Sequence, residues 1–392
     1  MKILYVMSST NPLAGSSKSL LTLIRAVKAQ GIDVLVVLPD SHGLYEELAG
    51  SGISALILPS IRQSTYPKSS SLTDKILFLP RLLYWRLLIR RTVNILRQTI
   101  HTCHIDLVHT NVSIIGVGLK AALLAGVPHI LHIREYGDSD FHYHYFPSLR
   151  RFRRSLSLPS SYSICITHDI QAHHGLLHNP NSVVIYNGIR PRGPLVPSDK
   201  HQYFLFVGRI EPAKGLDQLL SAYATFVSTA PSPAPLLIAG EAPSHFYSDR
   251  IHRFADRLHI SSHVRWLGAR TDIESLMSHA LALIVPSLNE GFGRCMTEAM
   301  FCGCLVIGRN TGGTKEQFDN GLAFSRQEIG FRYTTTPQLA ALLRHVSQTP
   351  PSAFASTLAA ASATVNHFYT TQAYTQSVIR FYHHIMSKHL QS

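Results

Sequence analysis

Two glutamates eight positions apart, Glu290 and Glu298, stand in the stretch Pro286-Ser287-Leu288-Asn289-Glu290-Gly291-Phe292-Gly293-Arg294-Cys295-Met296-Thr297-Glu298-Ala299-Met300. The apolar run ending at Val285 reads as a buried strand, the small polar residues after it as a loop, and the segment from Gly291 to Gly293 onward as the start of a helix. Unpaired backbone N–H groups and the positive dipole end of such a helix attract an anion. Two carboxylates beside it would repel phosphate, so their natural partners are hydroxyl groups. Glu290 on the loop would meet those of a sugar; Glu298, roughly 80° past two full turns further on, would reach those of a ribose. Taken alone, a capping glutamate and a solvated one on an ordinary helix would account for the same spacing.

A second loop follows another β-rich run. It reads Gly208-Arg209-Ile210-Glu211-Pro212-Ala213-Lys214-Gly215 and sets two cations five residues apart between glycines. Arg209 and Lys214 can there converge on a diphosphate. Gly303, Gly308 and the pair Gly312-Gly313, followed by Glu316, add permissive backbone further along.

These loops need buried strands to hold them. Short apolar runs recur at Lys2 to Met7, Val34 to Leu38, Ala55 to Leu58, Asp106 to Thr110, His129 to Ile133, Ser163 to Thr167 and Val183 to Tyr186. They return at Tyr203 to Val207, Leu236 to Ala239, Val264 to Leu267, Leu281 to Val285 and Leu305 to Gly308. Runs that do not alternate are strands buried on both faces, which means parallel sheets sandwiched by helices, and the fold class is α/β. Each half opens alike, with a strand, a loop containing Gly15 or Gly215, and an amphipathic helix. A length of 392 residues suits two domains at about 100 to 200 residues each. Residues 1–195 are read as one doubly wound domain, 196–365 as a second, and 366–392 as a terminal helix crossing back to the first. That helix carries Phe368, Val378, Phe381, Tyr382 and Ile385 at helical spacing. The three prolines between Pro191 and Pro197 suit a linker. Open α/β sheets bind ligands at the carboxyl ends of their strands, so the site is expected in a cleft where the two domains face each other.

The segments GRIEPAKG, LIAGE, VRWLGA, PSLNEGFG with its following glutamate, and CLVIGRNTGGTKE stand in an order and spacing that resemble the retaining GT-B glycosyltransferases of family four, also called glycosyl transferases group 1. ILYVMSSTNPLAGSSKSLLTLIRAVKAQG, DLVHTN and HILHIREYG carry the likeness more thinly in the first half. The resemblance implies two Rossmann-like domains, a nucleotide-diphosphate-sugar donor held by the second and a hydroxyl acceptor held largely by the first. By this resemblance Arg209 and Lys214 would neutralise the donor diphosphate, Glu298 would hold the ribose hydroxyls and Glu290 the transferred sugar. Backbone amides of Gly291, Phe292 and Gly293 would complete the donor contacts. His132 would face the reacting sugar and join Glu290 as a catalytic residue, and Gly15 would be the close-approach glycine of an acceptor-binding loop. By residue type alone His132 is more often a packed or hydrogen-bonded histidine. No metal or other cofactor is implied, because charge developing on the departing β-phosphate would be met by Arg209, Lys214 and a helix N-terminus. The sequence departs from the family at Leu13-Ala14-Gly15-Ser16-Ser17, where a glycine pair is common, and at Cys304, where proline is frequent.

Two motifs point elsewhere. Asp138-Ser139-Asp140 has the Asp-x-Asp form of a metal-dependent transferase, although such a pair in a polar loop is usually solvated. Gly116-Val117-Gly118-Leu119-Lys120-Ala121 matches a dinucleotide fingerprint by letters only, since it falls inside a helical run with no backbone free to wrap a pyrophosphate. Cys295, Cys302 and Cys304 lack the paired spacing and fourth ligand of a metal site.

Composition narrows the partners. Apolar residues make up 45%, within the globular range and against disorder, and 36 basic side chains face 23 acidic ones for a net charge of +13. Anionic partners are expected. No helix-turn-helix, zinc-finger or aromatic-basic sheet signature supports nucleic acid. Met1 to Met7 is too short an apolar run for a secretory signal, and even residues 76 to 89 carry Pro80, Arg81 and Arg86, so no spanning helix is expected. Five cysteines, an odd number, suit a reducing cytoplasm. Residues 75 to 100 read as a helix with Arg86, Arg90 and Arg97 within about 40° of each other. It is either a core helix with a solvated basic stripe or an interfacial helix meeting anionic lipid, and Arg150, Arg151, Arg153 and Arg154 add charge to the same half. The reading that results is a cytoplasmic, retaining, hexosyltransferase-like enzyme, peripheral at the inner face of a membrane and building cell-surface polysaccharide or glycolipid. Its rival is a non-catalytic nucleotide-sugar-binding or scaffold protein on the same fold.

Overall fold

The apolar runs become two separate parallel sheets in the computed structural model, which describes residues 1–12, 14–59, 61, 65–67, 72–140, 143–145, 148–189 and 203–391. The chain divides into two units, Met1–Gly188 with Gln372–Ser392, and Ile189–Thr371. The proline-rich stretch Pro191 to Pro197, expected as a linker, and Leu13 of the first loop lie outside the described residues.

The first unit contains β1 (Lys2–Val6), β2 (Asp33–Leu38), β3 (Ser54–Ile57), β4 (Thr65–Pro67), β5 (Leu107–Asn111), β6 (His129–Ile133), β7 (Tyr143–Tyr145), β8 (Ser161–Cys165) and β9 (Ser182–Val184). Seven of these form a sheet in the order β3-β2-β1-β5-β6-β8-β9, while β4 and β7 pair apart from it as a short antiparallel ribbon. β5, β6 and β8 are buried at all their positions, as parallel strands covered on both faces must be. Alternation along β1 shows the two faces. Ile3 and Tyr5 pack with Leu20, Leu23 and Ile24 of the helix Gly15–Ala29, whereas Leu4 and Val6 pack with Val93, Leu96 and Ile100 of the helix Phe78–Thr102.

The second unit contains β10 (Phe204–Val207), β11 (Leu236–Ala239), β12 (Val264–Gly268), β13 (Ala282–Val285), β14 (Val306–Arg309) and β15 (Phe331–Tyr333), ordered β12-β11-β10-β13-β14-β15 and all parallel. Strand order reverses between β1 and β5 in one sheet and between β10 and β13 in the other. Loops leaving adjacent strands at such a point open a crevice, and this is where doubly wound sheets bind ligands.

The expected terminal helix is in fact two. Phe368 ends the helix Ala355–Phe368, and the helix Thr371–Gln391 begins three residues on. Between them Tyr369 O accepts from Ile189 N at 2.8 Å and Ile189 O from Thr371 N at 3.0 Å, so a backbone bridge interrupts the helical ladder. Val378, Phe381, Tyr382 and Ile385 form the buried face of the last helix in the first unit, as their spacing requires. β8 ends at Cys165, two residues earlier than expected, and Thr167 is spent as the cap of the following helix, its side chain accepting from Ile170 N. β15, three residues at the sheet edge, carries too short a run to be seen in the sequence. The helix expected at 75–100 spans Phe78–Thr102, and its buried residues Thr92, Val93, Leu96 and Ile100 all lie in its second half.

Candidate active site

The site residues predicted from the sequence fall into two clusters, one in each unit. In the second unit the loop after β10 meets the loop after β13. Lys214 Nζ lies 2.8 Å from Glu290 Oε2, both side chains largely buried. Burial opposes the charge on Glu290, but the Lys214 ammonium outweighs it, with further hydrogen bonds from Ser287 and the Gly293 N–H, and the carboxyl is held below its usual range. Lys214 is likewise held above its usual value, burial notwithstanding, by Glu290. Leu288 N donates to Ala213 O at 2.9 Å and fixes the two loops side by side. Gly215, at φ +71°, is required here: a Cβ would stand 2.1 Å from Pro286 O.

The helix after this loop is Arg294–Phe301, capped by Gly293 at φ 87° with no side-chain cap bond. It begins just past the expected Gly291 to Gly293, so the helical arithmetic between Glu290 and Glu298 does not apply. Glu290 sits on the loop, where its carboxylate receives the N–H of Gly293, the residue before the helix, and no side chain caps the helix itself. The loop's carbonyls are turned onto the helix Gly312–Ser325. Gly313 N donates to Glu290 O at 2.7 Å, and Gln317 Nε2 donates to Phe292 O and, at 3.2 Å, to Gly293 O. Thr297 Oγ1 holds Gln317 Oε1 at 2.8 Å. This fixes the backbone of Gly291, Phe292 and Gly293. Glu298 is about one-third exposed and pairs with Arg294 at 3.3 Å. Arg209 is half exposed and pairs with Glu211 at 2.9 Å, so the two cations of the loop are held by different carboxylates.

In the first unit β5 and β6 bring Asn111, His132 and Arg134 together. Arg134 Nε donates to Asn111 Oδ1 at 2.7 Å, Nη1 to Asn187 Oδ1 at 2.5 Å, and Nη2 to Tyr374 Oη at 3.1 Å and His132 Nδ1 at 3.3 Å. Asn111 Nδ2 reaches Ser16 O at 3.4 Å, which links the helix beginning at Gly15 to this group. His132 is fully buried; burial first, then Arg134 and His109, keep its pKa well below the ordinary histidine value. Beside it Glu135 is buried, its Oε1 accepting from Ser113 N at 2.6 Å and Ser113 Oγ at 2.7 Å, and burial raises its pKa to about 7.

The competing motifs have other occupations. Asp140 accepts from Tyr136 N at 3.0 Å and Gly137 N at 2.7 Å, and Asp138 lies 2.8 Å from His173 Nε2. Gly118 lies within the helix Val117–Ala125, where a Cβ would stand 2.1 Å from Thr110 Oγ1; it is a packing glycine. The five cysteines are free.

Residues 13–192 match the family described as Glycosyltransferase Family 4, and residues 192–346 match Glycosyl transferases group 1. The chain belongs to glycosyltransferase family four. Its fold is the family's two-unit α/β GT-B fold, and Anabaena HepE, solved with UDP and glucose, superposes with a TM-score of 0.74 over 97% of this chain and 98% of its own at 22% identity. An uncharacterised glycosyltransferase of Methanocaldococcus jannaschii is 28% identical over 218 residues, 54% of this chain and 58% of its own length. The D-inositol 3-phosphate glycosyltransferase of Mycobacterium tuberculosis is 34% identical over 131 residues, 32% of this chain and 26% of its own. The chain therefore matches less than two thirds of the length of these curated relatives.

Sequence reasoning missed the supports of this family-four site. His109 touches His132 and Gln317 touches Phe292 and Gly293, while Tyr382 stands one step back, bonded to His109. Arg134 and Asn111 stood inside HILHIREYG and DLVHTN, but nothing in a linear pattern says that a strand's last residue will hold an arginine from its neighbour.

Proposed function

We propose that this family-four protein is a retaining glycosyltransferase that moves a sugar from a nucleotide-diphosphate-sugar to a hydroxyl acceptor. The observation that carries the reading is the Lys214–Glu290 pair at the β10/β13 switch point, beside a helix N-terminus with no side-chain cap. Lys214, Arg209 and that helix end supply positive charge for a departing β-phosphate, and Glu290 and Glu298 supply acceptors for sugar and ribose hydroxyls. HepE was solved with UDP and glucose, which favours a nucleoside diphosphate as the leaving group. His132 is assigned to the reacting sugar and Gly15 to the acceptor loop. The chemistry proposed needs no metal: with Asp138 and Asp140 engaged as described, a chelator should leave turnover unchanged, and its restoration by manganese after loss would revive both as ligands. Transfer and hydrolysis assays with a panel of nucleotide sugars test the activity. Binding of nucleotide sugar without turnover of any would favour the rival, a binding or scaffold protein.

The acceptor is proposed to be lipid-linked, reached at an anionic membrane surface on the cytoplasmic side. No helix among the described residues is long and apolar enough to cross a membrane. The first half of the helix Phe78–Thr102 leaves Leu79, Leu83, Tyr84 and Leu87 more than half exposed beside exposed Arg81, Arg86 and Arg90. Apolar side chains among arginines complement anionic lipid, at about 1 kcal/mol for each basic residue near the surface. Sedimentation with anionic liposomes at low and high salt tests this. Equal pelleting of wild type and Arg86→Glu/Arg90→Glu/Arg97→Glu would remove the helix from the proposal.

A further inference from the structure

The polar row of buried Tyr5, Tyr382, His109 and His132, ending at half-buried Arg134, has a direction. A guanidinium carries donors only. Arg134 Nη2 lies 3.3 Å from His132 Nδ1, so that nitrogen accepts, and neutral His132 carries its proton on Nε2. His109 Nε2 stands 3.2 Å from the same Nδ1 and must donate. His109 Nδ1 then accepts from the Tyr382 hydroxyl at 2.6 Å, and that hydroxyl in turn accepts from Tyr5 at 3.0 Å. One ring atom is left over. His132 Nε2 is buried with no hydrogen-bond partner among the described residues. An N–H left so is costly unless a ligand oxygen completes it. A second proton on Nδ1 would face the guanidinium and the His109 N–H, and burial opposes the charge as well.

We propose that Arg134 and His109, backed by Tyr382, are positioning residues that hold His132 neutral with its proton on Nε2, so that His132 serves the transferred sugar as a hydrogen-bond donor to oxygen and not as a base. The proposal rests on the reading of His132 as the residue facing the sugar. It also gives the last helix a part in the chemistry, since Tyr382, more than 270 positions from His109 in sequence, sets a tautomer at the site. Two donors meeting one lone pair leave the ring a single orientation, which is what a fixed contact to substrate needs.

Long-range proton–nitrogen correlation spectra of the full chain, labelled with nitrogen-15 at histidine, read the tautomer directly. The His132 signals are those missing in His132→Gln. From about pH 6 to about 8 they should show the neutral Nε2–H pattern; an Nδ1–H or imidazolium pattern overturns the proposal. Arg134→Met should let the proton visit both nitrogens, and Arg134→Lys, which keeps a donor, should retain it on Nε2. An unchanged pattern in Arg134→Met overturns the role given to Arg134. Tyr382→Phe deletes only a hydroxyl, and should mix the His109 tautomers and lower kcat about tenfold with little change in KM; unmixed His109 signals overturn the row. His132→Gln, which keeps a donor nitrogen, should retain about a tenth of wild-type turnover, while His132→Glu should lose about a thousandfold. The expected tautomer together with wild-type turnover in His132→Ala would overturn the placing of His132 at the sugar, and leave the tautomer assignment standing.

Discussion

The Lys214–Glu290 ion pair, 2.8 Å between Nζ and Oε2, joins two loops that are 76 residues apart in sequence but leave neighbouring strands. Removing the lysine leaves a largely buried carboxylate without its main partner. Lys214→Ala is therefore expected to lower unfolding stability by about 1–3 kcal/mol, less than for a fully buried pair because Lys214 keeps 22% exposure. Lys214→Ala/Glu290→Ala should cost less than the sum of its parts. Arg209→Ala, at a half-exposed site, should change stability by less than about 0.5 kcal/mol while removing about 2–4 kcal/mol of transition-state stabilisation. Denaturant unfolding and turnover check both. Strict additivity in the double variant would mean that the pair is not coupled.

The two glutamates should separate in calorimetry. Glu298 pairs with Arg294 at about one-third exposure and is the residue read as contacting ribose, so Glu298→Ala should weaken binding of the bare nucleoside diphosphate about tenfold. Glu290→Ala should leave that binding nearly intact and fall chiefly on turnover. The reverse order would exchange their roles.

What could be read from the sequence was what depends on local pattern. Continuous Val, Ile and Leu runs fixed the parallel sheets, and Gly215 and Gly293 marked loops that only glycine can make. The pairings were not legible. Nothing in the spacing of Arg209 and Lys214 says that one will lie against Glu211 and the other against Glu290, because strand order decides it. His109 looked like any strand residue, and Tyr382 like part of an apolar helix face. The terminal helix was misjudged at Phe368 for a related reason: the break at Tyr369 is made by a backbone bridge to Ile189, a partner about 180 positions away.

Glu135 predicts a pH dependence with a definite sign. Burial, opposed by two hydrogen bonds from Ser113, raises its carboxyl from 4.5 to about 7. A raised acid favours the folded state while protonated, and that contribution is complete below the unfolded value of 4.5 and lost as pH rises through about 7. Glu135→Gln lacks this term. Its stability relative to wild type should therefore rise by about 3 kcal/mol between about pH 4 and about pH 8, then level off. Parallel urea titrations of the two proteins across that range measure it. A difference independent of pH would mean that Glu135 titrates normally.

The final prediction separates two costs that a glycine substitution usually mixes. Gly31 and Gly215 share nearly the same φ, +75° and +71°. A Cβ on Gly31 meets nothing within 4 Å, whereas one on Gly215 would stand 2.1 Å from Pro286 O and 2.9 Å from Pro286 C, backbone atoms that cannot rotate away. Gly31→Ala should thus cost only the left-handed strain, about 1 kcal/mol. Gly215→Ala must also push the β13 loop aside, so a loss of about 2–4 kcal/mol is expected. Gly215 directly follows Lys214, the residue read as neutralising the donor diphosphate, so Gly215→Ala should weaken nucleotide binding as well, and Gly31→Ala should not. Equal stability losses in the two variants would show that the loops after β10 and β13 yield to each other freely, and the close fit ascribed to Gly215 would then have no energetic weight.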